Sequence, residues 1–132
     1  MSASLNRDLA EQWLAGYGAA WEKKDPGVLA DLFDAGANYF ETPYSEPFRG
    51  LTAIQAYWKN AVSAQENIRF RAELWHLDGD IATAHWRTTF TRLPVKANST
   101  LDGVFHLKFR SSSSGAICVE LREWWHYQET PE

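Results

Sequence analysis

The fold is decided by residues 68–92, whose sequence is IRFRAELWHLDGDIATAHWRTTFTR. Apolar and polar side chains alternate through residues 68–74, which is the period of a strand with one buried face. The Asp-Gly-Asp step at residues 78–80 supplies turn chemistry, and extended sequence resumes over residues 81–92. This stretch therefore predicts a β-hairpin.

Strands continue after the hairpin and helices precede it. The alternation predicts two more strands over about residues 100–110 and 116–127, joined by a serine-rich turn at residues 111–115. Upstream, apolar residues recur every three or four positions over residues 5–24 and 51–65, which is the spacing of amphipathic helices.

The segment between the two long helices predicts three short elements. Asp25 followed by Pro26 has the chemistry of a helix start, and predicts a short second helix that stops near Gly36. A brief strand over residues 38–42 and a proline-rich loop over residues 43–50 follow. Helices first and strands last predict a single α+β domain, in which three helices cover one face of a curved antiparallel sheet. Such a sheet is expected to form a cone whose mouth holds a small molecule.

Length and composition exclude several classes of protein. The 132 residues suit one globular domain, and a net charge of −4 without a basic run argues against a nucleic acid partner. No apolar run is long enough for a membrane span, and the N-terminus is too polar for a signal peptide. The single cysteine fits a reducing compartment, so we expect a cytoplasmic protein with no metal site.

Three short motifs carry a family resemblance. They are W-x-x-x-D at residues 21–25, L-x-x-L-F at residues 29–33 and P-x-x-G-x-x-x-I at residues 47–54. Their order resembles the SnoaL-like branch of the nuclear-transport-factor-2-like superfamily over nearly the whole chain. That superfamily hosts isomerases, cyclases, dehydratases, epoxide hydrolases and non-catalytic binders on one cone, so the resemblance implies a fold and not an activity.

Two enzyme branches of the superfamily imply candidate site residues. Tyr17 and Glu41 fall on the tyrosine and the catalytic acid of the steroid delta-isomerase pattern, whereas Phe105 stands where that pattern has a second acid. The limonene-epoxide-hydrolase-like pattern is similar at a second set of positions, with Thr89 in place of one of its carboxylates. The matching positions are Tyr39, Glu41, Arg87 and Glu123.

Strand parity gives a separate prediction for the same residues. The sets expected to face the cone are Tyr39 and Glu41 on the first strand, His85, Arg87 and Thr89 on the third, and Leu121, Glu123 and Trp125 on the last. We expect Arg87 to form an ion pair with Glu123, with Glu41 close to both. The alternative is that these charges form a buried network that only stabilises the fold.

The predicted function follows from this cluster. As an enzyme without a cofactor, the protein would move a proton with Glu41 or Glu123, orient a carboxylate with Arg87, and stabilise an oxyanion with Tyr17 or Tyr39. The side chains expected to bind a small organic substrate are Tyr17, Trp58, His85, Phe105 and Trp125. The alternative is a non-catalytic ligand-binding or association domain.

The opposite face of the predicted sheet is also aromatic. Trp86, Phe90 and Trp124 have the other parity, and the three helices cannot cover both faces. This exposed aromatic face predicts a homodimer that buries Trp86 and Trp124 or their immediate neighbours.

Overall fold

The computed structural model describes residues 5–112 and 115–130. Helix α1 (Arg7–Glu22) begins after Asn6, whose side chain accepts a hydrogen bond from the backbone N–H of Leu9 at 2.9 Å. A 3₁₀ helix (Pro26–Asp31) and helix α2 (Leu51–Val62) follow.

Six strands form one open sheet with the order β2-β1-β6-β5-β4-β3. Their bounds are β1 (Phe33–Phe40), β2 (Phe48–Arg49), β3 (Gln65–Asp78), β4 (Ile81–Arg92), β5 (Ala97–Ser112) and β6 (Gly115–Thr130). The α+β class and the hairpin of β3 with β4 are confirmed. The sheet is curved and does not close, so the full cone stays a prediction.

Two features of the sheet differ from the sequence prediction. β1 runs parallel to β6, so the sheet is mixed and not wholly antiparallel. The second helix is only a 3₁₀ helix that ends at Asp31, and Gly36 lies inside β1 and does not stop a helix. The reason is that Phe33, Ala37 and Tyr39 are all buried, which ties this segment to the sheet.

The core lies between the helices and the inner face of the sheet. Helix α1 packs against β3 and β6, and α2 packs against β1. On β4 every second residue from Ala82 to Phe90 is buried, and these are Ala82, Ala84, Trp86, Thr88 and Phe90. No helix in the described part of the chain is long and apolar enough to cross a membrane.

Candidate functional site

An open cleft of about 390 Å³ lies between α2 and the inner face of the sheet. Its walls are mainly aromatic, with side chains from both long helices and from β1, β4 and β6: Trp21, Tyr39, Tyr57, Trp58, Trp86, Phe90, Trp125 and Tyr127. Two carboxylates, Glu41 and Glu123, complete the polar part of the lining together with Gln65. Clefts of this size and composition are typical of sites for small organic molecules.

Gly103 helps to shape this cleft. It pairs with Trp86 of β4 on one side and with Trp125 of β6 on the other. A Cβ at this position would lie 3.0 Å from Cε2 of Trp86 and 2.9 Å from Cβ of Trp125, besides meeting the backbone oxygen of Trp124. The missing side chain therefore leaves room for the indole of Trp86 and for the close approach of β6 at Trp124 and Trp125.

A buried chain of hydrogen bonds ends at Glu123. The hydroxyl of Tyr39 donates to Oε1 of Glu123 at 3.0 Å, and the hydroxyls of Tyr17 and Tyr39 lie 3.0 Å apart. Because Tyr39 has one proton and gives it to Glu123, Tyr17 is the donor in the bond between the two tyrosines. The chain therefore links helix α1 through β1 to β6 and fixes the position of one carboxyl oxygen.

The carboxyl of Glu123 is held in an unusual electrostatic environment. The side chain is only 6% exposed, and burial raises its pKa to about 8, against a partly compensating hydrogen bond from Tyr39. The charge of Glu41 is a smaller contribution to the same rise. No ion pair among residues 5–112 and 115–130 involves Glu123, so the acid is mostly protonated at neutral pH.

Only one of the two carboxyl oxygens of Glu123 has a partner. Oε1 accepts from Tyr39, whereas Oε2 has no hydrogen bond to any side chain or backbone group of the described chain. Since Glu123 lines the cleft, Oε2 is the oxygen left for a bound molecule.

Glu41 provides the second carboxylate, in the bend that follows β1. The indole N–H of Trp125 donates to the backbone oxygen of Glu41 at 3.2 Å, which holds this bend at the cleft. Burial is the main cause of the raised pKa of Tyr57, followed by the charge of Glu123 and a hydrogen bond with Glu41. Tyr57 therefore lies within the field of both carboxylates.

Two of the predicted site residues lie on the other face of the sheet. Arg87 Nε donates to Oδ2 of Asp102 at 2.8 Å, and Nε2 of His85 lies 3.0 Å from Oδ1 of the same carboxylate. The predicted ion pair between Arg87 and Glu123 is therefore wrong, and so is the placement of His85 in the cleft. The reason is the parity of β4, whose buried face carries Trp86 and not Arg87.

The other predicted residues lie on the inner face. Glu41, Tyr39, Trp58, Glu123 and Trp125 all line the cleft. The remaining two are in the packing behind it: Tyr17 is 1% exposed and bonded to Tyr39, and Phe105 is fully buried with its ring 5.1 Å from that of Trp86 and 5.4 Å from that of Tyr17.

Several lining residues were missing from the sequence prediction. Trp86 and Phe90 were expected on the outer face, but they are 1% and 7% exposed and form part of the cleft wall. The signal that could have found them is the apolar alternation of β4 itself. Trp58 and Trp86 also carry buried indole N–H groups without a partner in the described chain.

The model of one family matches most of this chain, over residues 12–118, and its description is "SnoaL-like domain". The chain belongs to the SnoaL-like domain family. The resemblance drawn from the three sequence motifs is therefore confirmed. No protein of curated function matches this SnoaL-like domain.

Solved structures share the fold of this SnoaL-like domain at low sequence identity. A protein with a ketosteroid isomerase-like fold from Catenulispora acidiphila, in complex with trimethylamine, is 17% identical with a TM-score of 0.73, over 86% of this chain and 84% of its own. A proposed scytalone dehydratase from Novosphingobium aromaticivorans is 10% identical with a TM-score of 0.80, over 95% and 86%. A hexachlorocyclohexane dehydrochlorinase is 11% identical with a TM-score of 0.76, over 96% and 88%.

Proposed function

We propose that this cleft is the active site of a cofactor-independent acid–base enzyme that moves a proton on a small, largely apolar organic molecule. The observation that carries the proposal is Glu123, a buried acid with one free oxygen and a pKa of about 8, at the wall of an aromatic cleft. A proton-transfer group works best when its pKa lies near the working pH.

The other groups have supporting roles in this proposal. Glu41 is the second carboxylate of the cleft. It accepts a proton from the substrate while Glu123 donates one, or the two groups act in the reverse direction. Tyr39 is a positioning residue, because it holds Oε1 of Glu123 and leaves Oε2 toward the substrate. Arg87 and His85 have no part in the reaction, since they pair with Asp102 on the opposite face.

The named fold neighbours are consistent with such chemistry. A dehydratase and a dehydrochlorinase, as two of them are described, each remove a small molecule from an organic substrate. Another holds trimethylamine, which is a small organic molecule. These likenesses support the choice of substrate size and of reaction class, and they leave the substrate itself open.

Proton transfer can be tested before the natural substrate is known. We expect the wild-type protein to accelerate deuterium incorporation from D₂O into the activated C–H bonds of some member of a panel of cyclic ketones and enones, followed by NMR. Glu123→Gln is expected to lower that rate by about 100-fold or more, because it removes the exchanging proton. Asp102→Asn is the matched control, since it makes the same chemical change on the opposite face.

A different result of the same exchange experiment would contradict the proposal. If panel compounds bind saturably but none exchanges faster than in buffer, the acid–base proposal is wrong. The non-catalytic ligand-binding domain then becomes the better description of the protein.

We also propose that the protein is a homodimer that associates through the outer face of the sheet. Trp75 and Trp124 are 55% and 51% exposed, and Trp75 stacks on His85 there. Trp86, which was expected at the interface, is buried and is not part of this face. Sedimentation is expected to give twice the chain mass of 15.1 kDa, and Trp124→Ser is expected to give the monomer.

The proposed location is the cytoplasm, for which the single cysteine is the support.

A further inference from the structure

The charges that line the cleft are all of one sign. Of its thirteen lining residues, eight are aromatic and two are glutamates, and none is a lysine, an arginine or a histidine. Arginines are present elsewhere on the sheet, but the ion pairs of Arg87 and Arg92 are made with Asp102 and Glu129 outside this lining. The cleft therefore combines aromatic walls with two carboxyl groups, and its lining holds no protein cation.

The two glutamates act on the same space. The charge of Glu41 affects Glu123, and both affect Tyr57, so the three side chains share one electrostatic field. Oε2 of Glu123 has no partner in the described chain, although the side chain is more than nine-tenths buried. A buried carboxyl group is stabilised in its charged form only by a cation or by hydrogen-bond donors. None of the described residues supplies that cation to Glu123, so a cationic ligand would stabilise the charged form of the carboxyl group.

We propose that the cleft binds an alkylammonium group, a small organic cation whose charged nitrogen lies between Glu41 and Glu123 and whose carbon substituents contact the aromatic walls. Aromatic rings attract alkylammonium cations through the negative face of the ring, and the attraction is strongest where water is excluded. The proposal rests on the proposed function only in taking this cleft as the substrate site, and it names the class of substrate.

Binding of such a cation is coupled to the protonation of Glu123. The titratable groups around this carboxyl group are Tyr17 on α1, Tyr39 on β1, Tyr57 on α2, and Glu41 after β1. Burial raises the pKa of all three tyrosines, so they stay neutral over the working range. The affinity for a permanent cation is therefore expected to rise with pH and to reach a plateau above about pH 8. In Glu123→Gln this rise is expected to be absent, because the amide does not titrate.

The decisive experiment compares choline with its uncharged isostere, 3,3-dimethylbutan-1-ol. Both are titrated into the wild-type protein at pH 8.5 by isothermal calorimetry or tryptophan fluorescence. The cation is expected to bind more tightly than the alcohol by about tenfold or more, since the two differ in charge and hardly in shape. Equal binding, or tighter binding of the alcohol, overturns the inference.

Two variants assign the effect to the cleft. Glu41→Gln is expected to weaken choline by about tenfold and to leave the alcohol unchanged, because only the cation uses the charge. Glu46→Gln, in the same loop with a side chain 89% exposed and paired with Arg49, is the matched control and keeps the wild-type affinity. The proposed site is contradicted if Glu41→Gln and Glu46→Gln lower the affinity for choline equally. It is also contradicted if Glu41→Gln lowers the affinity for choline and for the alcohol equally.

The outcome separates this inference from the proposed function. Selective choline binding in a protein without any proton exchange supports the ammonium site and rejects the enzyme. Proton exchange on neutral ketones, without any preference for choline over the alcohol, supports the enzyme and rejects the ammonium site.

Discussion

The two faces of the sheet treat a carboxyl group in opposite ways. On the outer face, hydrogen bonds with His85 and then Arg87 lower the pKa of Asp102. On the inner face, burial raises the pKa of Glu123 to about 8, and no cation accompanies it. The same chemical group is thus stabilised as an anion in Asp102 on β5 and as a neutral acid in Glu123 on the next strand, β6.

This difference shows that residue type alone does not identify a functional charge. Asp102 is held by the guanidinium of Arg87 and by the imidazole of His85, which is typical of a structural polar network. Glu123 sits among aromatic groups and a second carboxylate, which costs stability and gives the group a proton to exchange. Buried groups with strongly shifted pKa values cluster at functional sites, which is the reason for choosing Glu123 as the candidate.

The largest expected effect separates two neighbours on β4. Trp86→Ala is expected to destabilise the protein by about 3 to 5 kcal/mol, because it empties a packed site against Phe70 and Phe105. Arg87→Ala is expected to cost less than about 1 kcal/mol, because it removes one exposed ion pair. Urea unfolding of both variants gives the comparison. Similar losses for the two would mean that the faces of β4 are not as different as their burial indicates.

A smaller effect is expected from the pH dependence of Glu123. Its pKa is 4.5 in the unfolded chain and about 8 in the folded one, so the folded state binds the extra proton between these values. The contribution of this proton to the free energy of unfolding is complete below pH 4.5 and is lost as the pH rises through 8. At about 1.4 kcal/mol for each unit of pKa difference, the total is a few kcal/mol. Thermal melts of wild type are therefore expected to fall between pH 5 and pH 8.5.

Glu123→Gln is the control for this prediction. The amide has no proton to lose, so its melting temperature is expected to stay nearly constant over the same range and to exceed that of wild type at pH 8.5. A variant that melts lower than wild type at every pH would indicate that Glu123 is needed as an anion, as in a structural ion pair.

Local patterns predicted most of the fold. The hairpin, the last two strands and the two long helices follow from periodicity, because each period reports which side chains meet the core. The parallel pairing of β1 with β6 joins residues about 80 positions apart, as in Tyr39 with Leu121, and no local pattern contains that information. Gly36 was misleading for a related reason, since the strand that contains it is defined by its partner.

Five of the nine predicted site residues line the cleft, and the two that lie on the opposite face, His85 and Arg87, share one source of error. Placing Arg87 at its family position turned every side chain of β4 to the wrong face, because a shift of one residue inverts a strand. The apolar set on the same strand, Trp86 and Phe90 above all, indicated the correct face. The free oxygen of Glu123 could not be predicted at all. It depends on which side chains of other strands lie beside β6 in space, and no pattern within one strand contains that information.

The smallest expected effect tests the outer carboxylate. Asp102→Asn removes an anion held by Arg87 at 2.8 Å and by His85 at 3.0 Å, but the carboxylate is 38% exposed and the guanidinium 46%. Solvent screening therefore limits the loss at pH 7 to about 1 kcal/mol or less. The lowered pKa means that this contribution is present above pH 3.8 and is lost as the pH falls below it, which is the reverse of the direction expected for Glu123. Urea unfolding of wild type and Asp102→Asn is expected to show a small difference at pH 7 that shrinks as the pH falls below 3.8. If the difference instead grew with acid, Asp102 would have to be protonated in the native state, and the contrast between the two faces would be lost.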